Sequence, residues 1–200
     1  MIITVDGLDG SGKSTLARNL SAYYDCLFID KPLHEFYNQV IPTSKQSIDK
    51  MYDNILKLNS SILNAYHSTL PLLYIKETGN NRKIIINGGL LTSYIQNGND
   101  NTETLYEFLA NNGLLFNLAI VLYCDREERL NRLRKKTTND NYLMSETLST
   151  TNYNRTFEFI KKYPNENIII IDTTNKTVDE VLAIAKAEID QIINKVYKKN

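Results

Sequence analysis

Eight residues near the start of the chain, Gly7-Leu8-Asp9-Gly10-Ser11-Gly12-Lys13-Ser14, match the spacing G-x-x-x-x-G-K-[ST] at every defined position, and Thr15 follows. The motif carries weight only between a strand and a helix. Met1 to Val5 is a short apolar strand, and Lys13 to Tyr24 places Leu16, Leu20 and Tyr23 at helical spacing. Glycines let the backbone curl so that successive N–H groups converge on an anion. The helix that follows adds the positive end of its dipole. In this arrangement Lys13 faces the β- and γ-phosphates of a nucleoside triphosphate, and the Ser14 hydroxyl ligates Mg²⁺. A turn that merely joins strand to helix needs neither Lys13 nor Ser14.

The remainder of the chain alternates strands with helices. Cys26 to Ile29 reads as a second strand, closed by Asp30-Lys31-Pro32. Residues 34–76 read as mainly helical, with Ile48, Met51, Tyr52, Ile55 and Leu56 on one face and Leu58, Ile62 and Tyr66 on another. Lys83 to Ile86 is a third strand whose side-by-side aliphatic residues suit a strand covered on both faces, and Leu118 to Cys124 and Asn167 to Asp172 are further strands. Helices are expected around Thr102 to Ala110, over Arg126 to Lys136, up to Tyr163, and from Val178 through Val196. The pattern predicts an α/β fold, a five-stranded parallel sheet with helices on both faces, as one domain over residues 1–200. Thr137 to Thr151 is the least patterned, polar stretch, and residues 134–151 are expected to act as a lid.

Composition narrows the function. Hydrophobic residues make up 42% and charged residues 23%, which fits a packed globular domain. Lys+Arg and Asp+Glu are 23 each, so no net field draws in nucleic acid or an anionic membrane, and an anion needs a local site. Aliphatic runs such as Ile168 to Ile171 are far shorter than the ~20 residues of a membrane span. Residues 1–5 lack a basic leader, so no signal peptide is expected and the chain is read as cytoplasmic. Cys26 and Cys124 each lie in an apolar stretch, as free thiols do in a reducing compartment. No His/Cys cluster suggests zinc, and His34 and His67 have no nucleophile partner in any recognisable pattern.

Among users of nucleoside triphosphates, a switch GTPase reads guanine with N-K-x-D. The nearest match, Asn175-Lys176-Thr177-Val178, ends in valine. A mechanical ATPase places an acid at the end of an apolar strand, where this chain has Asn87-Gly88. A small phosphotransferase remains, and the basic helix fits it. Arg126, Arg129, Arg132, Arg134, Lys135 and Lys136 occupy this helix, with Leu130 and Leu133 expected to face inward. Guanidinium groups there are suited to the charge that spreads over a transferring phosphoryl group.

Val5-Asp6-Gly7-Leu8-Asp9-Gly10-Ser11-Gly12-Lys13-Ser14-Thr15-Leu16 resembles the opening of the thymidylate kinases and, more loosely, of the related deoxynucleoside kinases. Leu118 to Lys136 is similar to that family's fourth strand and lid helix, and Ile169 to Asp172 with Val178 to Val181 to its last strand and closing helix. The likeness covers both ends of the chain better than the middle. It implies a P-loop NTPase-type three-layer sandwich that uses ATP and Mg²⁺, with Gly7 to Thr15 around the phosphates. It further implies that Asp9 faces the acceptor's sugar, and that Thr173 and Thr174 lie beside the adenine. Where some members keep an arginine in the loop this chain has Gly10, so the resemblance turns to the lid arginines Arg132 and Arg134.

The family's Asp-Arg after the third strand is Asn87-Gly88 here, and its Arg-Glu-Pro after the second is Asp30-Lys31-Pro32. Lys31 suits an acceptor phosphate, which favours a nucleoside monophosphate over a nucleoside. Phe36, Tyr37 and Tyr94 are candidate stacking partners for a base, and Gln96 lies in the stretch Tyr94 to Gly98 that loosely resembles the family after its third strand. The expected activity is transfer of the ATP γ-phosphate to a (deoxy)nucleoside monophosphate. The alternatives are a deoxynucleoside kinase and a nucleotide-binding protein that has lost catalysis. Monomer and homodimer both stay open.

Overall fold

The computed structural model describes residues 1–30, 32–40, 45–57, 60–79, 82–136, 152–163 and 167–197. At its centre are five parallel strands: β1 (Ile2–Gly7), β2 (Leu27–Ile29), β3 (Ile84–Asn87), β4 (Leu118–Tyr123) and β5 (Ile168–Asp172). They lie in the order β2-β3-β1-β4-β5. The expected parallel sheet is present, and β1 extends two residues past Val5, because Asp6 and Gly7 still pair with Val121 and Leu122 of β4.

Alternation along the strands makes two cores. Ile84, Ile86, Ala119 and Val121 face one side and pack with Leu72 and Ile75 of α4 (Ser61–Thr78), Leu90 and Tyr94 of α5 (Leu90–Asn97) and Phe159 of α8 (Asn152–Lys162). Ile3, Val5, Ile85, Ile120 and Leu122 face the other side. There they meet Leu16 and Leu20 of α1 (Lys13–Tyr24) and Val181, Ala185 and Ile189 of α9 (Val178–Tyr197). Sheet and helices therefore form three layers, as apolar residues on both faces of the central strands β3, β1 and β4 require.

The segment 34–76, read as mainly helical, is three helices: α2 (Pro32–Val40), α3 (Lys45–Lys57) and α4. On α4 the buried stripe is Ala65, Leu72 and Ile75, while Ile62 and Tyr66, read as sharing an apolar face, are 47% and 58% exposed. Tyr23 is likewise exposed, with Lys186 over its ring. Helix α5 was not assigned from the sequence. Helix α6 (Glu103–Leu109) runs into an irregular turn, Ala110–Leu114, kinked at Gly113 with φ of 81°, ahead of β4, and α7 (Arg126–Arg134) follows that strand. Of the expected lid, residues 137–151 lie outside the described residues. Cys26 and Cys124 are free thiols, pushed up in pKa by burial.

Candidate nucleotide site

The sheet order puts the C-terminal ends of β1, β3 and β4 side by side, and the glycine loop leaves β1 at that edge. Gly12 is the N-cap of α1 with φ of 102° and has no side chain to cap the first turn. The first N–H groups of α1 therefore have no side-chain cap of the kind that would compete with an anion. Lys13 is buried, and its Nζ donates to Asp9 Oδ1 at 3.0 Å within the loop. Ser14 is exposed at the rim.

Several anchors fix this loop. The buried Asp6 carboxylate accepts from Gly89 N and Thr92 N, both at 2.7 Å, and from Thr4 Oγ1 at 2.6 Å, tying β1 to the start of α5. Tyr153 of α8 accepts from Leu8 N at 3.1 Å and donates to the Leu122 carbonyl at 3.0 Å. Sequence reasoning identified neither. An acid one residue before the first glycine was the available signal for Asp6, whereas Tyr153 lies far along the chain in a helix with no motif.

Helix α7 closes the loop from the other side. Asp125 caps it, its side chain accepting from Glu127 N at 2.9 Å. Arg129 is completely buried, and its guanidinium donates to the Asp9 carbonyl at 3.3 Å. Leu133 is buried with it, whereas Leu130, expected to face inward, is only half-buried. The inward stripe of α7 meets a polar backbone loop, so an arginine fits where a leucine was expected. Gly10 lies directly beneath, with φ of 85°. A Cβ there would come 2.7 Å from Arg129 Cγ and 2.9 Å from the Arg129 carbonyl.

Between the loop, α7 and the β5–α9 turn lies a cleft of about 430 Å³, lined by Gly10, Gly12, Thr15, Arg132, Thr173 and Lys176 among others. Arg132 is pinned in its wall: Nε donates to Glu128 at 2.9 Å, one terminal nitrogen to the Thr173 carbonyl at 2.8 Å, and the other to Thr173 Oγ1 at 3.3 Å. Thr173 is buried, and its hydroxyl hydrogen is shared between the Ser11 carbonyl at 3.0 Å and the Tyr123 carbonyl at 3.1 Å. Thr174 lies outside the cleft lining, bonded instead to Asp125 N and Asp172. Lys176, Thr177 and Val178 stand in the lining where Thr174 was expected. Arg134 is exposed and does not line the cleft.

The expected acceptor-side residues are scattered. Tyr94 cannot stack on a base: its ring is 1% exposed and lies against Phe159 at 4.3 Å and Tyr106 at 5.0 Å. Its hydroxyl donates to Glu103 at 2.6 Å, and burial first, then that bond, push its pKa up to about 12. An aromatic read as a candidate stacking partner for a base is instead the seam between α5 and α8. Phe36 is half-buried in an edge-on cluster with Tyr37 and Tyr74. Gln96 is exposed at the end of α5, and Lys31 lies outside the described residues. Asn87 bridges Ser14 Oγ and Asp30 Oδ1, donating to each at 2.9 Å.

A family model described as an AAA domain matches residues 3–150, a span that includes the loop, the sheet through β4 and α7. The chain belongs to that AAA domain family. It is 25% identical over 182 residues to a Methanocaldococcus jannaschii protein described as "Probable thymidylate kinase", spanning 90% of this chain and 91% of that one. Among solved structures it superposes on deoxyadenosine kinase from M. mycoides with TM-score 0.65 at 20% identity, covering 96% of this chain and all of that one. Thymidylate kinase from Candida albicans gives TM-score 0.60 at 18% identity, over 96% and 92% of the two chains. The fold is that of the P-loop nucleoside and nucleotide kinases, and the resemblance read from residues 5–16 and 118–136 is supported. No helix among the described residues is long and apolar enough to cross a membrane.

Proposed function

We propose that the chain is a kinase that moves the γ-phosphate of ATP to a (deoxy)nucleoside monophosphate. The observation that carries this reading is the Gly7–Ser14 loop. It sits at the uncapped start of α1, with the Lys13 ammonium inside it and a cleft beside it walled by α7. Such a loop is suited to a row of phosphates, and the cleft to the nucleoside attached to them.

Roles follow from position. The backbone from Gly7 to Thr15 cradles the phosphates and Lys13 neutralises them. Asp9, which shares an ion pair with Lys13, turns to the acceptor's sugar when phosphate replaces it. Arg132, fixed by Glu128 and Thr173, shapes the donor cleft, with Thr173 as the buried peg behind it. Arg134, exposed at the end of α7 and about 200° around the helix from Arg132, does not line the cleft as it stands, and its assignment to the transferring phosphoryl group requires the end of α7 to move over the loop. Ser14, Asn87 and Asp30 offer only oxygen donors and an amide at the loop's exit, a set that fits Mg²⁺. When bound, Mg²⁺ neutralises charge on the β- and γ-phosphates. Transfer then depends on alignment, since the protein has little covalent chemistry to do.

The test is a coupled assay of ATP consumption against a panel of nucleosides and nucleoside monophosphates. Stimulation by a monophosphate supports the reading. ATP binding with no stimulation by any acceptor leaves a nucleotide-binding protein and refutes the kinase.

A further inference from the structure

The end of β3, where an acid for Mg²⁺ is absent, is adjacent to one on the next strand. Strand β2 pairs in parallel with β3, with Ile29 opposite Ile86, so Asp30 and Asn87 leave the sheet next to each other. On the other side of β3 lies β1, which runs into the glycine loop, so Asn87 stands between Ser14 and Asp30. Its two amide hydrogens serve both neighbours, one on Ser14 Oγ and one on Asp30 Oδ1, each at 2.9 Å.

This arrangement leaves acceptors without donors. A serine hydroxyl has two lone pairs, and accepting from Asn87 leaves one for a cation. Asn87 Oδ1 is buried and has no hydrogen bond among the described residues, which is costly unless a donor such as a coordinated water faces it. Asp30 keeps most of its carboxylate lone pairs. Its other contact, Arg18 at 3.9 Å, is a long and exposed pair that contributes little. Mg²⁺ is held through one or two carboxylates, phosphate oxygens and several retained waters. Asn87 has the position for that task without the charge, and Asp30 has the charge.

We propose that Asp30 is the carboxylate that holds the water shell of the divalent cation at Ser14, and that Asn87 is the positioning residue that fixes it there. This inference rests on the reading of the glycine loop as the donor site. Its chemistry is the electrostatic clamp of that reading, moved by one strand.

The test uses the full chain, Mn²⁺ as the probe cation and a fluorescent β,γ-imido analogue of ATP. Affinity for the analogue is measured with Mn²⁺ and in EDTA. The ratio of the two affinities is the coupling between metal and nucleotide, and it is read without any turnover. Asp30→Asn should reduce that coupling by roughly tenfold or more, the effect expected of a group that orients a metal's ligands, while affinity in EDTA stays near that of the parent chain. The double variant Asp30→Asn with Asn87→Asp returns a carboxylate to the end of β3 and should restore most of the coupling. Parent-like coupling in Asp30→Asn overturns the proposal, as does a failure of the double variant to recover. An equal loss of affinity in EDTA also overturns it, because it places the effect in the loop and not in the metal. If the parent chain does not bind the analogue at all, the donor-site reading fails first, and this proposal fails with it.

Discussion

Replacing Gly10 with alanine tests whether α7 is seated on the glycine loop as closely as the structure has it. The added methyl would lie 2.7 Å from Arg129 Cγ, 2.9 Å from the Arg129 carbonyl and 3.0 Å from Leu133 Cγ. Two of those atoms belong to buried side chains and one is backbone, so none yields by simply rotating away. Crowding of this kind costs about 1–3 kcal/mol. The left-handed φ of 85° adds about 1–2 kcal/mol for a residue with a Cβ. Gly12 is the internal control. Its φ is 102°, but the nearest atom to an added Cβ is Leu122 Cδ1 at 3.9 Å, an ordinary contact. Gly12→Ala therefore carries only the backbone cost, and Gly10→Ala carries both. With a urea slope of about 2 kcal/mol per molar, Gly10→Ala should lower the unfolding midpoint by about 1–2.5 M, and Gly12→Ala by roughly 0.5–1 M. Urea titrations followed by circular dichroism measure both. Equal midpoints for the two variants would refute the close packing of α7 on the loop.

The same geometry sets further expectations. Lys13→Ala should keep the fold by circular dichroism and weaken nucleoside triphosphate binding by roughly ten- to a hundredfold, the worth of a charged hydrogen bond; parent-like affinity would show that the loop is not the donor site. Arg132→Ala should raise KM for ATP while sparing kcat, whereas Arg134→Ala should cut kcat by roughly 10³-fold with little change in KM; steady-state kinetics showing the reverse would exchange the two roles. Thr173→Val keeps the shape and removes the buried hydroxyl, leaving the Ser11 and Tyr123 carbonyls short of a donor, and should cost about 1–3 kcal/mol in urea unfolding. Burial lowers the pKa of His67, so the folded state binds that proton less readily than the unfolded chain. Its contribution is complete above the unfolded value of about 6.5 and falls away as pH drops below it, with a slope of at most about 1.4 kcal/mol per pH unit. Urea midpoints between pH 7.5 and 5.5 should fall more for the parent chain than for His67→Gln, and identical slopes would contradict this.

Most of what was legible in the sequence came from short-range patterns. The glycine loop, the strand before it and the helix after it are specified by contiguous residues, and β3, β4 and β5 show themselves as aliphatic runs. What the sequence did not show depends on partners distant in the chain. Arg129 looks like one more surface arginine until Gly10 and the Asp9 carbonyl are brought beneath α7. Tyr94 looks available to a base until Phe159, 65 residues later, covers its ring. Ile62 and Tyr66 fit an apolar stripe, but the side of α4 that meets the sheet is the one with Ala65 and Ile75. Asp30 and Asn87, read as departures from a family pattern, become neighbours only through the pairing of β2 with β3.

The most direct test of the proposed reaction is the fate of the transferred group. The chain would be incubated with ATP labelled at the γ-phosphorus, Mg²⁺ and each deoxynucleoside monophosphate or nucleoside in turn, and the products separated by chromatography. The expected result is label in a nucleoside diphosphate, formed only when a monophosphate acceptor is present and lost in Lys13→Ala. Label that reaches only inorganic phosphate, or only a nucleoside to give its monophosphate, would contradict the proposed function.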